Sequence, residues 1–182
     1  MTQFTTIDPA KAEPKAKELL DAVQQKLGVV PNMMRVLASN PTVLGAYLNF
    51  SGALAGGRLG GKLHSQIALA VAEANGCNYC LAAHTLLGQK AGLSIGETLT
   101  ARAGQADDKR AVAALAVARS VVAKRGQLSA TELTQAHAAG LNDADILEII
   151  AAVAINVFTN YVNIAAATDI DFPPAVKLEK VA

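Results

Sequence analysis

The sequence predicts an all-α fold. Almost every segment between Gly, Pro and Asn breaks repeats its apolar residues with the helical period of about 3.6, and none alternates as a strand would. Hydrophobic residues make up 52% of the chain, tryptophan is absent and aromatics are only 4%, so the apolar content is mostly Ala, Leu, Val and Ile, in which Ala and Leu are strong helix formers. At 182 residues the length suits one domain. We take 1–182 as a single helical domain, with 1–12 an N-terminal arm and 169–182 an extended C-terminal arm.

The first helix should run from about Glu13 to Leu27, entered through Pro14 and stopped at Gly28. VPNMMRVLASNP fits one short helix after Pro31, closed by Asn40-Pro41 because a residue before proline disfavours the helical region. Pro41 opens PTVLGAYLNFSGAL, which stops at Gly56-Gly57, and Gly60-Gly61 marks another turn. Lys62 to Asn75 is helical up to Asn75-Gly76, a pair that tolerates positive φ. The next helix runs from Cys77 to Lys90, and AGLS supplies a Gly stop followed by Ser94 as an N-cap. Further helices are expected at Ser94–Ala103, Asp108–Arg125, Ser129–Ala139 and Asn142–Thr168. Ser129 with Glu132 matches a capping box and Asn142 with Asp145 a weaker form of one. Pro173-Pro174 bars a helix from the tail DIDFPPAVKLEKVA.

Charge narrows the function. The formal net charge is +1 and the basic residues are scattered, so nucleic acid is not an expected partner. MTQFTTIDPAKAEPK lacks the charged-then-apolar pattern of a secretion signal, which points to the cytoplasm. The longest apolar run, IIAAVAINVF at 149–158, follows Glu148 and is interrupted by Asn156; a bilayer span takes about 20 apolar residues, so no membrane role is expected and this run reads as a core helix. So apolar a chain should bury part of its surface between copies, making it a homo-oligomer. GGRLGG lacks the strand and the Gly-Lys-Ser/Thr ending that would make a phosphate loop.

Both cysteines fall within EANGCNYCLAAH, residues 73–84. On a helix, Cys77, Cys80 and His84 lie along one face over two turns. The pair begins a helix, where unpaired N–H groups and the macrodipole favour thiolate over thiol, and in a reducing compartment a close pair is more often redox-active or metal-binding than structural. One sulfur could then be nucleophilic, with the other placed to form a disulfide. Two further readings stand beside this one. The cysteines could simply fill a helix interface, or they could hold a metal completed by His64 or His137, although no second CxxC exists.

Set among Ala-rich helices, EANGCNYCLAAH resembles the alkylhydroperoxidase AhpD and carboxymuconolactone decarboxylase superfamily in its CxxCxxxH branch, most specifically from about Lys62 to Gly92. The resemblance implies an AhpD-like orthogonal helical bundle, oligomeric as a trimer or hexamer. It implies a cofactor-free enzyme that reduces alkyl hydroperoxides through a cysteine sulfenate and a disulfide, with a thiol reductant protein or small dithiol as partner. It makes Cys80 the peroxide-attacking thiol, Cys77 the resolving thiol and His84 part of the proton relay. The helix dipole alone would favour Cys77 as the more acidic sulfur, but His84 is one turn from Cys80 and two from Cys77. Two positions depart from the pattern. Ser65 stands twelve residues before Cys77, where the family carries its relay glutamate, and Tyr79 replaces a histidine that some members have between the cysteines. Glu73, one turn before Cys77 on an unbroken helix, is the substitute carboxylate.

His64 is turned about 100° from Ser65 on a helix and is expected to point elsewhere, while His137, in TQAHAAG, reads as surface. Asn156, Asn160 and Asn163 form a polar stripe on an apolar helix. They either pair between helices or line the thiol pocket and orient a peroxide or carbonyl oxygen. Met33, Met34, Tyr47 and Phe50 read as core or pocket wall. Two other functions remain: a lactone decarboxylase of the carboxymuconolactone type, which needs no dithiol, and a non-enzymatic redox-sensing helical module.

Overall fold

A computed structural model describes residues 1–176 and 178. Among these, nine α-helices and no strands are present: α1 Pro14–Leu27, α2 Asn32–Leu37, α3 Pro41–Ala55, α4 Gly60–Asn75, α5 Asn78–Lys90, α6 Ile95–Arg102, α7 Lys109–Lys124, α8 Ala130–Ala138 and α9 Asp143–Ala165. The punctuation acts as expected. Gly28 and Gly76 end α1 and α4 in the left-handed region, and Pro14 and Pro41 sit in the first turns of α1 and α3. The capping boxes at Ser129–Glu132 and Asn142–Asp145 are both complete, and Ser94–Glu97 forms a third.

Helix α4 is the axis of the molecule. From Leu63 to Ala72 every residue but His64 is buried, because α5, α6, α7 and α9 surround it. One apolar core gathers Leu63, Ile67 and Val71 of α4 against α7, α8 and α9. The other gathers Leu69 and Ala72 with Leu20 of α1, Met33 and Met34 of α2, and the cysteines. Each large aliphatic side chain so buried contributes about 1.5–3 kcal/mol. Helix α9, 23 residues long, is apolar enough by length and composition to cross a membrane. Here it packs on α3, α4, α5 and α7 and buries Asn156, Thr159, Asn160 and Asn163 among them.

The N-terminal arm is fastened rather than loose. The Gln3 N–H donates to the Ala166 carbonyl, the Ile7 N–H to that of Arg35, and Thr2 binds the Asp169 carboxylate. A single 3-10 turn at Pro9–Lys11, capped by Asp8, falls within it. Residues 169–176 hold no helix. They run back across the molecule, where the Asp171 carboxylate accepts from the Asn32 N–H at 2.7 Å and the Val176 carbonyl accepts from Arg102. The rest of the expected C-terminal arm, 177 and 179–182, lies outside the described residues.

Candidate active site

The site is built where α4 stops. Gly76 turns the chain at φ 68°, the Cys77 N–H donates back to the Ala72 carbonyl at 2.9 Å, and Cys77 becomes the N-cap of α5. Its Sγ accepts the Cys80 N–H at 3.2 Å, so a sulfur takes the place usually held by a Ser or Asp oxygen. The cap and the third residue of a helix are near neighbours, and the two cysteines, with Cα atoms 5.3 Å apart, are joined as a disulfide. Both are buried, at 1% and 2% exposure.

They differ in what they face. A cavity of about 570 Å³ opens beside α5, and Cys80 lines it while Cys77 does not. His84, one turn beyond Cys80, lines it too, as do Ser65 and His64 of α4. Most of the remaining wall is apolar, including Met33, Met34, Leu48, Leu54, Ile155 and Phe172. Removal from water lowers the His84 pKa from 6.5 to about 4, with the Asn156 side chain acting weakly the other way. His84 is therefore a neutral imidazole at pH 7, able to accept a proton. Tyr79 lines the cavity as an un-ionised phenol: burial raises its pKa, and its hydroxyl oxygen accepts the Met33 N–H at 3.1 Å. Its ring meets Phe172 edge-on at 5.5 Å.

The asparagine stripe divides. Asn160 accepts from Asn75 at 2.8 Å across the α4–α9 interface, which is structural pairing. Asn163 instead approaches Cys80, its Nδ2 lying 3.4 Å from Cys80 Sγ and 3.1 Å from Met33 Sδ. Its buried Oδ1 has no hydrogen-bond partner among the described residues. Asn156 also reaches the cavity wall, with its Nδ2 donating to the Ala152 carbonyl.

Glu73 is not among the cavity residues. Its carboxylate binds Arg102 Nε at 2.7 Å, and Arg102 is buried between it and the C-terminal segment. The break at Asn75-Gly76 turns Glu73 away from α5, so the substitute-carboxylate expectation is corrected. His64 requires the opposite correction. Because α4 is enclosed on all sides, a residue turned 100° from Ser65 still meets the same cavity. Its Nε2 lies 3.4 Å from Glu148 Oε1 of α9. Burial would raise the Glu148 pKa, but the N–H groups of Arg58 and Leu59, at 2.8 and 3.1 Å, and His64 hold it below the usual carboxylate value. His137 lies on the surface beside Asp143 at 2.9 Å. Glu148 and Phe172 left no local signal in the sequence: each reaches the site from a distant part of the chain.

Residues 41–124, α3 through α7, match the carboxymuconolactone decarboxylase family model. The Cys77–Cys80 pair falls inside the matched stretch, which spans less than half of the chain. The whole fold agrees. A peroxidase-related protein of Ralstonia eutropha JMP134, described as an alkylhydroperoxidase AhpD core, superposes with a TM-score of 0.82 at 23% identity, over 93% of this chain and 92% of that one. A peroxidase-related protein of Silicibacter sp. TM1040 gives 0.78 at 25% identity over 91% of each chain. The debrominase Bmp8, as its C82A variant bound to 2,3,4-tribromopyrrole, gives 0.79 at 22% identity over 94% and 92%. No curated protein matches the chain by sequence.

Proposed function

We propose that the protein is a thiol-dependent peroxidase that reduces apolar organic hydroperoxides through Cys80 and Cys77. The observation that carries this reading is the asymmetry of the pair: Cys80 borders the cavity together with a neutral His84, and Cys77 lies behind it within bonding reach. In the reduced enzyme His84 takes the Cys80 proton, and the Asn163 amide and the first turn of α5 favour the resulting thiolate. The thiolate attacks the nearer peroxide oxygen, forming an S–O bond as the O–O bond breaks. The alkoxide leaves with the electron pair and becomes an alcohol on gaining a proton. Cys77 then displaces hydroxide from the Cys80 sulfenic acid, giving the disulfide and water, and an external dithiol returns the pair to thiols. The mostly apolar wall suits an alkyl or aryl substituent on the peroxide.

A lactone decarboxylase would leave the dithiol without a task, and a redox-sensing module would leave the cavity without one. The test is to reduce the protein, add one equivalent of cumene hydroperoxide and follow mass and free thiols. The expected outcome is rapid loss of both thiols with a decrease of about 2 Da, repeated turnover with a dithiol reductant, and neither in Cys80→Ser. Slow oxidation at the rate of an ordinary thiol, without turnover, would favour the sensing module.

A further inference from the structure

The cavity follows α5 from one end to the other. Cys80, Ala83, His84, Leu87 and Lys90 all line it, at helical steps of three, one, three and three that keep them on one face. At a rise of about 1.5 Å per residue, the Lys90 backbone lies about 15 Å along the axis from that of Cys80. Helix α4 runs antiparallel beside it: a Cβ on Gly88 would meet the Ser65 Cβ at 3.5 Å, and one on Gly61 the Ala91 Cβ at 3.8 Å. The thiol therefore lies by the α4–α5 turn, and Lys90 at the opposite end, beside the start of α4. Between them the wall is apolar, with Leu48 and Leu54 of α3 and Ile155 of α9 added to Ala83 and Leu87.

Charge on this wall has one sign. Among the described residues, Lys26 of α1 and Lys90 line the cavity and no Asp or Glu does, and neither lysine has an ion-pair partner. Glu97 and Glu148, which approach the first turns of α4, are already engaged, Glu97 by Lys62 and the Ser94 cap and Glu148 by the Arg58 and Leu59 N–H groups. Lys90 is exposed, so its ammonium stays hydrated while its stem covers apolar wall. An anion meeting it there keeps part of its own water, whereas one carried into the apolar stretch would lose it without compensation. We propose that the substrate is the hydroperoxide of a long-chain carboxylic acid, its peroxide at Cys80, its chain along the apolar wall and its carboxylate on the Lys90 ammonium. This rests on the reading of Cys80 as the peroxide-attacking thiol and names the substrate class for it. A span of about 15 Å suits a chain of many carbons, and a short hydroperoxide leaves Lys90 unused. A lysine in the last turn of α5 also suits the helix macrodipole, but that role acts on stability and does not distinguish one substrate from another.

Removing the charge from the substrate and from the protein in turn tests it. Second-order rates of Cys80 oxidation should be measured in single turnovers with linoleic acid 9-hydroperoxide and with its methyl ester, in wild type, Lys90→Gln and Lys90→Arg, and with cumene hydroperoxide in wild type. The acid-to-ester rate ratio cancels whatever a variant changes for both substrates. It should fall about fivefold in Lys90→Gln, the size of one well-placed exposed ion pair, and stay within about twofold of wild type in Lys90→Arg, which keeps the charge. In wild type the ratio should also shrink as salt is added. An equal ratio in wild type and Lys90→Gln, with cumene hydroperoxide oxidising Cys80 rapidly, overturns the carboxylate site and leaves the peroxidase reading standing. An equal fall in Lys90→Arg would show that charge is not what Lys90 supplies, and overturns it too. Wild-type oxidation no faster than that of a free thiol with all three oxidants overturns the peroxidase reading itself, and the substrate class falls with it.

Discussion

His84 is a histidine whose place in the wall costs it its charge, and that has consequences for stability as well as reactivity. In the folded protein its pKa is about 4 against 6.5 for an ordinary histidine. As pH falls below 6.5 the unfolded chain takes up a proton that the folded site refuses, so stability is complete above that value and is lost as pH falls towards 4. The loss should be on the order of 2–3 kcal/mol. Denaturant unfolding of wild type and His84→Gln at pH 7.5, 6 and 5 would reveal it as a steeper fall in wild type; parallel curves would contradict it. On the proposed mechanism the same residue takes the Cys80 proton, so His84→Ala should move the pH dependence of Cys80 alkylation upward. Ser65 lines the same cavity as Cys80 and His84. Ser65→Glu should therefore raise the rate of thiol oxidation at pH 7 while costing about 1–3 kcal/mol of stability for burying a charge, seen as faster peroxide consumption with a lower Tm. Unchanged oxidation would show that a carboxylate at this position does not act on the thiol.

Between elements, the end of α4 and its beginning perform different tasks, and local sequence shows only one of them. At the C-terminal end, the spacing of Cys77, Cys80 and His84 across a helix start is legible because all three lie within eight residues. At the N-terminal end, Glu148 holds the Arg58 and Leu59 N–H groups and His64 from 84 residues away in sequence, a distance over which helical periodicity carries no information. Glu73 shows the converse error. Its sequence proximity suggests the thiols, but the turn at Gly76 gives it to Arg102 instead. Glu73→Gln should accordingly leave peroxide oxidation unchanged and lower stability by about 1–3 kcal/mol, because it weakens the partner of a buried guanidinium. Equal thermal stability would mean that the pair contributes nothing, and slower thiol oxidation would return Glu73 to the relay. Helix boundaries reflect the same limit: α4 begins at Gly60, not Lys62, and α9 ends at Ala165, not Thr168, because tertiary contacts decide the last turns.

For the whole molecule, the all-α architecture was legible because each helix carries its own period and caps, whereas assembly depends on a surface that a single chain shows only after folding. Helix α9 turns its polar stripe and Ile149, Ala152 and Val153 inward. On its other side it leaves Leu147 at 67%, Ile150 at 36%, Phe158 at 37%, Tyr161 at 60% and Ile164 at 49% exposure. These residues recur at steps of three, eight, three and three, which keeps them on one side of a helix, and the ring of Tyr47 on α3 extends the patch with its centroid 6.4 Å from that of Phe158. A row of large apolar side chains of this length on an isolated chain is the kind of surface that a partner covers, and a second copy presents the same row in reverse, as a two-fold contact requires. The protein should therefore run as a homo-oligomer. Light scattering coupled to gel filtration at micromolar concentration should return a multiple of 18.7 kDa, and Leu147→Glu combined with Tyr161→Glu should shift it towards the single-chain mass while the helical circular dichroism is retained. A wild-type mass of one chain would remove the assembly altogether, and an unchanged oligomer in the double variant would move its interface off α9.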